Sequence, residues 1–257
     1  MASLYQTTGI VLSRRDHREA DRWYSVYTHD RGKIEVLARG GHKPLAKLTP
    51  HLEMAAEVQL LVVNGKQFYT LAGVERVRAF PNAYADLSRL VLVQNALALV
   101  DMGTRTEEAD QILYGELVAW LSCIDEMPSP TPERAGYLLG SFALKLLSLL
   151  GYRPELQRCL ACKIGVASGA YRWHAPKGGV VCMPCVGRDQ EQWFAARDID
   201  DAALKLMRYA LSESFPDQHR PHLPGVALSQ FHEAVESLLI SHFLAIPAAS
   251  LRAACAV

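Results

Sequence analysis

The fold turns on one stretch: Trp23-Tyr24-Ser25-Val26-Tyr27-Thr28-His29-Asp30-Arg31-Gly32-Lys33-Ile34-Glu35-Val36-Leu37-Ala38-Arg39-Gly40. Two runs rich in β-branched and aromatic residues, Trp23–Thr28 and Ile34–Ala38, flank the turn residues His29-Asp30-Arg31-Gly32, the pattern of paired strands. Similar segments lie on either side, Gly9–Leu12 before it and Glu57–Val63 and Phe68–Val77 after it. Asn64-Gly65-Lys66 separates the last two and supplies the positive φ angles that a tight hairpin turn requires. Gly40-Gly41-His42-Lys43-Pro44 opens a longer connection running to about Pro50. Five strands in roughly 75 residues with one long loop suit the five-stranded OB-fold, and other small barrels and sandwiches fit the same count.

After Pro81 the apolar period lengthens from two towards 3.6. Leu87, Val91, Leu97 and Ala98 share one helical face, and Leu113, Leu117, Trp120, Leu121 and Ile124 share another. Ser129-Pro130-Thr131-Pro132-Glu133 carries capping signals ahead of an apolar helix from about Arg134 to Leu150, stopped by Gly151. Two further helices are expected near Ala202–Ser212 and Ser229–Leu244, joined by the linker Phe215–Gly225. The reading is α+β: a barrel domain over residues 1–80, then a mostly helical domain over 81–257 with an irregular insert at about 155–190.

Half of the 257 residues are hydrophobic, 21% are charged and the net charge is zero, an ordinary globular composition with no global pull towards nucleic acid or membrane. The charge is unevenly placed. Residues 1–80 hold 12 Lys+Arg against 8 Asp+Glu, and residues 81–158 hold 6 against 10. The N-terminus shows no basic region followed by an apolar stretch, and the apolar run around Leu90 to Val100 is broken by Gln94 and Asn95. A cytoplasmic protein is expected, and in a reducing compartment paired cysteines serve as metal ligands more often than as disulfides.

Cys159-x2-Cys162 and Cys182-x2-Cys185 are separated by 19 residues, within the spacing of two-knuckle zinc sites. Two cysteines in one tight turn reach the same ion, and two such turns complete a tetrahedron of thiolates. Tyr171-Arg172-Trp173 reads as a strand and Lys177-Gly178-Gly179-Val180-Val181 as a turn into another, in the manner of a zinc ribbon. A redox dithiol pair and an iron–sulfur cluster are the competing readings. Neither Cys-x-x-Cys follows a strand and opens a helix, and the paired spacing favours zinc. Four thiolates leave no open coordination position, so the expected ion, one zinc, is structural. His174 is expected at the surface, Cys123 on an apolar helix face, and Cys255 in the Ala-rich tail.

Residues 14–47 contain nine Lys and Arg against five carboxylates. Alternation on the third strand places Ile34, Val36 and Ala38 on one face and Lys33, Glu35, Leu37 and Arg39 on the other. Lys33 and Arg39 are thereby expected on the outer surface with Lys43 and Lys47 beside them. Binders of single strands combine such a cationic groove with aromatic platforms, and Trp23, Tyr24, Tyr27, Phe68 and Tyr69 are the candidates. About half of these must face the core. Charge alone leaves two readings open, a nucleic-acid interface and a solvated barrel wall.

Gly9-Ile10-Val11-Leu12, Glu19-Ala20-Asp21-Arg22, Tyr27-Thr28-His29-Asp30-Arg31-Gly32-Lys33-Ile34 and Ala38-Arg39-Gly40 together resemble the N-terminal domain of the RecO family of DNA repair and recombination proteins. The run from Phe142 through Leu150-Gly151-Tyr152-Arg153-Pro154-Glu155-Leu156 into Cys159-Leu160-Ala161-Cys162 is similar to the stretch that introduces the family's metal site, and Gly178-Gly179-Val180-Val181-Cys182 with Cys185 continues the likeness. It spans about residues 5–190. The chain departs from it at Gly41-His42-Lys43-Pro44-Leu45-Ala46-Lys47, which is less basic than in many relatives, and at Lys163, where relatives often have glycine.

The resemblance implies a recombination mediator without catalytic activity, built as an OB-fold followed by a helical domain with a zinc-binding insert. It implies binding of single- and double-stranded DNA and annealing of complementary strands. The implied partners are RecR and single-stranded-DNA-binding protein, with RecA loading as the outcome and no membrane involved. Location would be cytoplasmic, at the nucleoid during repair. DNA contact is carried onto Arg39, Lys43 and Lys47 by the likeness, and onto Arg14, Arg15 and Lys33 by their place in the basic segment. Two rival classes remain. One is an enzyme with a structural zinc, for which no Ser/His/Asp set, phosphate-binding glycine loop or His-Glu-x-x-His helix is present. The other is an adaptor whose basic barrel is only solvated surface.

Overall fold

The computed structural model describes residues 3–41, 48–65, 68–166, 168–169 and 171–243. The expectations placed on Lys43, Lys47, Lys66 and Cys255 lie outside the described residues.

Five strands close a barrel in the order β1-β2-β3-β5-β4: β1 (Ser3–His17), β2 (Asp21–Thr28), β3 (Gly32–Ala38), β4 (Glu57–Asn64) and β5 (Tyr69–Arg78). This is the expected OB-fold. β1 is much longer than its apolar core Gly9–Leu12 suggests, because it serves two neighbours in turn. Its first half pairs with β4, from Ser3 opposite Asn64 to Ile10 opposite Glu57, and its second half with β2, from Gly9 opposite Thr28 to His17 opposite Asp21. Polar residues such as Thr7 and Arg15 are therefore held in a strand by pairing and not by β propensity. Inside the barrel lie Val11, Val26, Ile34, Val36, Val58, Leu60 and Val62, together with Tyr24 and Tyr69. Leu52, beyond the short 3-10 turn Thr49–His51, joins the same core.

β3 meets β5 in parallel only at Val36 opposite Tyr69 and Leu37 opposite Thr70. Below this, the connection after α1 (Leu87–Gly103) takes the place of a strand. Lys33 bridges Thr106, the Glu107 amide donates to the Lys33 carbonyl at 2.9 Å, and the Tyr69 hydroxyl donates to the Glu107 carboxylate at 2.5 Å. Gly32 makes this approach possible. Its φ is +67°, and a Cβ there would lie 2.0 Å from the Glu108 carbonyl oxygen.

α1 and α2 (Gln111–Glu126) start on aspartate caps: Asp86 accepts from the Arg89 amide, and Asp110 from the amides of Ile112 and Leu113. Both helices pack with the barrel. The Tyr114 hydroxyl donates to Glu57 at 2.8 Å, and Arg78 pairs with the same carboxylate at 3.3 Å. By packing, the chain therefore divides into Met1–Pro128 and Ser129–Val257. The change from strand to helix falls near residue 80, two helices earlier.

The second unit is organised around α3 (Pro132–Leu147), capped by Thr131, whose interior residues are almost all buried. Pro132–Tyr152 is long and apolar enough to cross a bilayer, with mean hydropathy 1.3, but 67% of it is buried within the fold, so its composition is that of a core helix. α5 (Asp201–Ser212) and α6 (Gly225–His242) pack on it, with the Phe231 ring 5.1 Å from that of Tyr137. Gln218, fully buried, accepts from the Tyr137 hydroxyl at 2.9 Å and fixes the linker between α5 and α6. α6 begins at Gly225 and not near Ser229, because a proline just ahead of the first turn is compatible with a helix start. The insert between α3 and α5 holds a three-stranded sheet in the order β7-β6-β8: β6 (Tyr171–His174), β7 (Gly179–Cys182) and β8 (Arg197–Asp198).

Candidate metal centre and nucleic-acid interface

The metal ligands expected from spacing, Cys159, Cys162, Cys182 and Cys185, come together. Cys182 ends β7 and caps the short helix α4 (Met183–Arg188) that holds Cys185. Against expectation, the second Cys-x-x-Cys does follow a strand and open a helix. The convergence of all four sulfurs is what favours a metal site over a dithiol pair. The first knuckle is a tight turn in which the Lys163 amide donates to the Cys159 carbonyl and the Cys159 amide to the Ile164 carbonyl, each at 2.9 Å. Lys163 adopts the left-handed region, φ 63°, a conformation that glycine takes at no steric cost. Hydrogen bonds from the Leu160 amide to Val180 and from the Val180 amide to Glu155 tie the knuckle to β7.

The four sulfurs all lie within 4.8 Å of one another, and Cys162 Sγ is 3.8 Å from Cys182 Sγ. A tetrahedron of sulfurs about 2.3 Å from a central zinc has edges of about 3.8 Å, so donor type and spacing fit a four-thiolate ion. The Cys182 amide donates to Cys159 Sγ at 3.3 Å. Burial pushes the Cys159 thiol up, but the amides of Cys182, Cys162 and Ala161 outweigh it and bring the thiol down to about 6. Cys185 is pushed up to about 12, first by its hydrogen bond with Cys182. Cys182 is also raised, chiefly by burial. The amide donors thus favour one thiolate, at Cys159.

Cys159 and Cys185 are buried in a cluster with Val181, Trp193 and Ala196, and Cys162 and Cys182 are half-buried at its edge. His174 is not at the surface as expected; only 3% of it is exposed. Its Nδ1 accepts from the Lys177 amide at 3.2 Å, and its ring meets Trp193 edge-on at 5.2 Å, so it caps the β6–β7 turn. Burial, then repulsion from Lys177, holds its pKa below the ordinary histidine value. Trp193, which packs in the cluster with Cys159 and Cys185 and carries Lys177 4.3 Å over its ring, is signalled by no motif. Cys123 is half-buried on α2, and burial raises its thiol.

Among the described residues, the expected DNA-contacting cations Arg14, Arg15, Lys33 and Arg39 do not form one patch. Adjacent residues of β1 point to opposite faces, so Arg14 stands across from the interior residue Tyr24 and Arg15 across from Trp23. Arg39 is exposed just beyond β3. Lys33 departs from the expectation of a free outer cation. Its ammonium donates to the Asp101 carbonyl and lies 3.6 Å from the Asp101 carboxylate, with 16% of the side chain exposed. Of the candidate aromatics, Tyr24 and Tyr69 fill the barrel, and Tyr27 is buried with its hydroxyl 3.4 Å from the Asp110 carbonyl. Trp23 and Phe68 remain on the outside, edge-to-face at 5.1 Å.

Residues 1–80 match the family described as Recombination protein O N terminal, and residues 84–248 match Recombination protein O C terminal. The chain is 29% identical over 241 residues to DNA repair protein RecO of Symbiobacterium thermophilum, covering 93% of this chain and 92% of that protein. It is 31% identical to the protein of that name from Heliobacterium modesticaldum, over 81% of this chain and 74% of the relative. The protein of that name from Desulforudis audaxviator is also 31% identical, over 72% of each.

Proposed function

We propose a strand-handling role from one established premise: this chain belongs to the recombination protein O family of DNA repair proteins. The role is that of a mediator without catalytic activity, working in the cytoplasm at the nucleoid. It binds single- and double-stranded DNA, anneals complementary strands and, with RecR, helps RecA load onto DNA covered by single-stranded-DNA-binding protein. The observation that carries this reading is family membership over both halves of the chain, joined to a closed OB barrel at the N-terminus.

Arg14, Arg15 and Arg39 are the described cations assigned to DNA, with Lys43 and Lys47 in the connection that follows β3. Lys33 is assigned instead to holding α1 on the barrel through Asp101. Each phosphate met by Arg or Lys releases condensed counterions, so affinity is expected to fall steeply with salt and to depend little on sequence. Contacts of this kind hold strands by their backbones and leave base edges free to pair, which is what annealing requires.

Cys159, Cys162, Cys182 and Cys185 are assigned to one structural zinc. A zinc so bound supplies cross-linking of two turns and no open position for a substrate. The chain's own residues build the rest of that element: amides of Cys182 and Cys162 favour the Cys159 thiolate, and Trp193 packs in the cluster that buries Cys159 and Cys185. The test of the mediator role is annealing of complementary oligonucleotides coated with single-stranded-DNA-binding protein. The coated strands should anneal faster with this protein present, and an unchanged rate over a range of protein concentrations would reject the role.

A further inference from the structure

We propose that the outer wall of the barrel carries a stacking site for unpaired DNA bases, built from Trp23, Phe68, His17 and Arg15. The proposal rests on the DNA-binding reading above and adds to it the part of the DNA that this wall would recognise.

The residues form one continuous row. Strand register sets Arg15 opposite Trp23, Trp23 opposite Leu37, and Leu37 opposite Thr70, so the row crosses β1, β2, β3 and β5 on the face turned away from the core. Leu37 is buried there, although it is no part of the barrel's interior cluster. Trp23 and Phe68 lie edge-to-face at 5.1 Å, and His17 meets Trp23 at 5.9 Å and 65°. Phe68 is 36% exposed, whereas Trp120, Trp173 and Trp193 are at most 4% exposed, which leaves Trp23 as the half-buried tryptophan of the chain.

Charge selects the occupant. The Arg15 guanidinium lies 5.6 Å from the Trp23 ring centroid, and its side chain is 64% exposed. It is shared with Glu35 at 3.0 Å, an exposed pair of a kind that holds its arginine weakly. Arg15 can therefore leave the ring for a phosphate while a base takes its place against the indole. Arg39 follows two residues after Leu37 and is exposed. Aromatic faces flanked by mobile arginines bind single strands by stacking bases and neutralising phosphates, with little sequence preference. Paired bases are stacked on each other and present no free face, so duplex DNA would use only the cations.

The test uses the full chain, a labelled oligothymidylate and a labelled duplex, with affinity read by anisotropy and intrinsic tryptophan emission read in parallel. Oligothymidylate should quench the emission of the unmodified protein through Trp23. Trp23→Ala should lose about 5- to 150-fold in affinity for oligothymidylate, the range that base–aromatic stacking supports, with duplex affinity and salt dependence unchanged. Trp23→Phe should keep most of the affinity, and Phe68→Ala provides a second variant should Trp23→Ala not fold. Single-strand binding with no quenching, and no loss in either alanine variant, would overturn the stacking site while leaving DNA binding intact. Absence of any binding by the unmodified protein would overturn both.

Discussion

The Lys33 ammonium lies 3.6 Å from the Asp101 carboxylate, and the same carboxylate accepts from the hydroxyls of Ser13 at 2.8 Å and Ser25 at 2.7 Å. One residue of α1 thus collects one side chain from each of β1, β2 and β3. Removing the aspartate strands a cation that has little access to water, and an unpaired charge in such a place is costly. Asp101→Ala should destabilise the first unit by about 2–3 kcal/mol, read by urea denaturation. Lys33→Met should cost less, since Asp101 keeps two hydroxyl donors. DNA affinity of a folded Lys33→Met should be unchanged within about twofold, because loss of one screened phosphate contact is not involved.

Gly32→Ala tests the seam between β3 and the 104–110 connection. The φ of +67° is unfavourable for alanine, and its Cβ would sit 2.0 Å from the Glu108 carbonyl oxygen. The connection must retreat and give up its bond from the Glu107 amide to Lys33. A loss of at least about 2 kcal/mol is expected, with weaker hydrogen-exchange protection at Glu107.

Elemental analysis should find one zinc per chain, and Cys159→Ser should lose it. The insert should then lose its order and the protein its solubility before DNA affinity falls, because structural zinc contributes on the order of 10 kcal/mol to its own element. Loss of DNA affinity from a still-ordered protein would instead place the insert in contact with DNA.

His174 gives the second unit a pH dependence. Its folded pKa is depressed by burial and by Lys177, so the unfolded chain takes up the proton more readily. The stabilisation is therefore full above the ordinary histidine value of about 6.5 and is lost as pH falls below it. Melting followed from about pH 7.5 to 5.5 should show this decline, and His174→Asn, which keeps an acceptor for the Lys177 amide, should flatten it. Metal content measured at each pH separates this effect from acid release of the ion.

The barrel and the convergence of the four cysteines are legible in the sequence because their signals are local. Turn chemistry at His29-Asp30-Arg31-Gly32 and paired knuckles ending in Cys162 and Cys185 are short patterns with few alternatives. What stayed hidden was set by partners distant in the chain. Lys33 reads as an outer cation until α1 brings Asp101 to it, 68 residues later. His174 reads as surface until Trp193 closes over it. Alternation showed that about half of the aromatics face the core, but the β1–β2 register was needed to set Trp23 outside and Tyr24 within. The packing of α1 and α2 onto the barrel rests on pairs such as Tyr114 with Glu57, which no window of sequence contains.

DNA contact through the barrel cations is decided by the salt dependence of binding to a labelled single strand, compared between the unmodified protein and a folded variant carrying Arg15→Glu and Arg39→Glu. Affinity should fall linearly in log–log form with salt, with a slope shallower by about 0.7 for each phosphate contact removed in the variant. Equal slopes in the two proteins, or no binding at low salt, would contradict it.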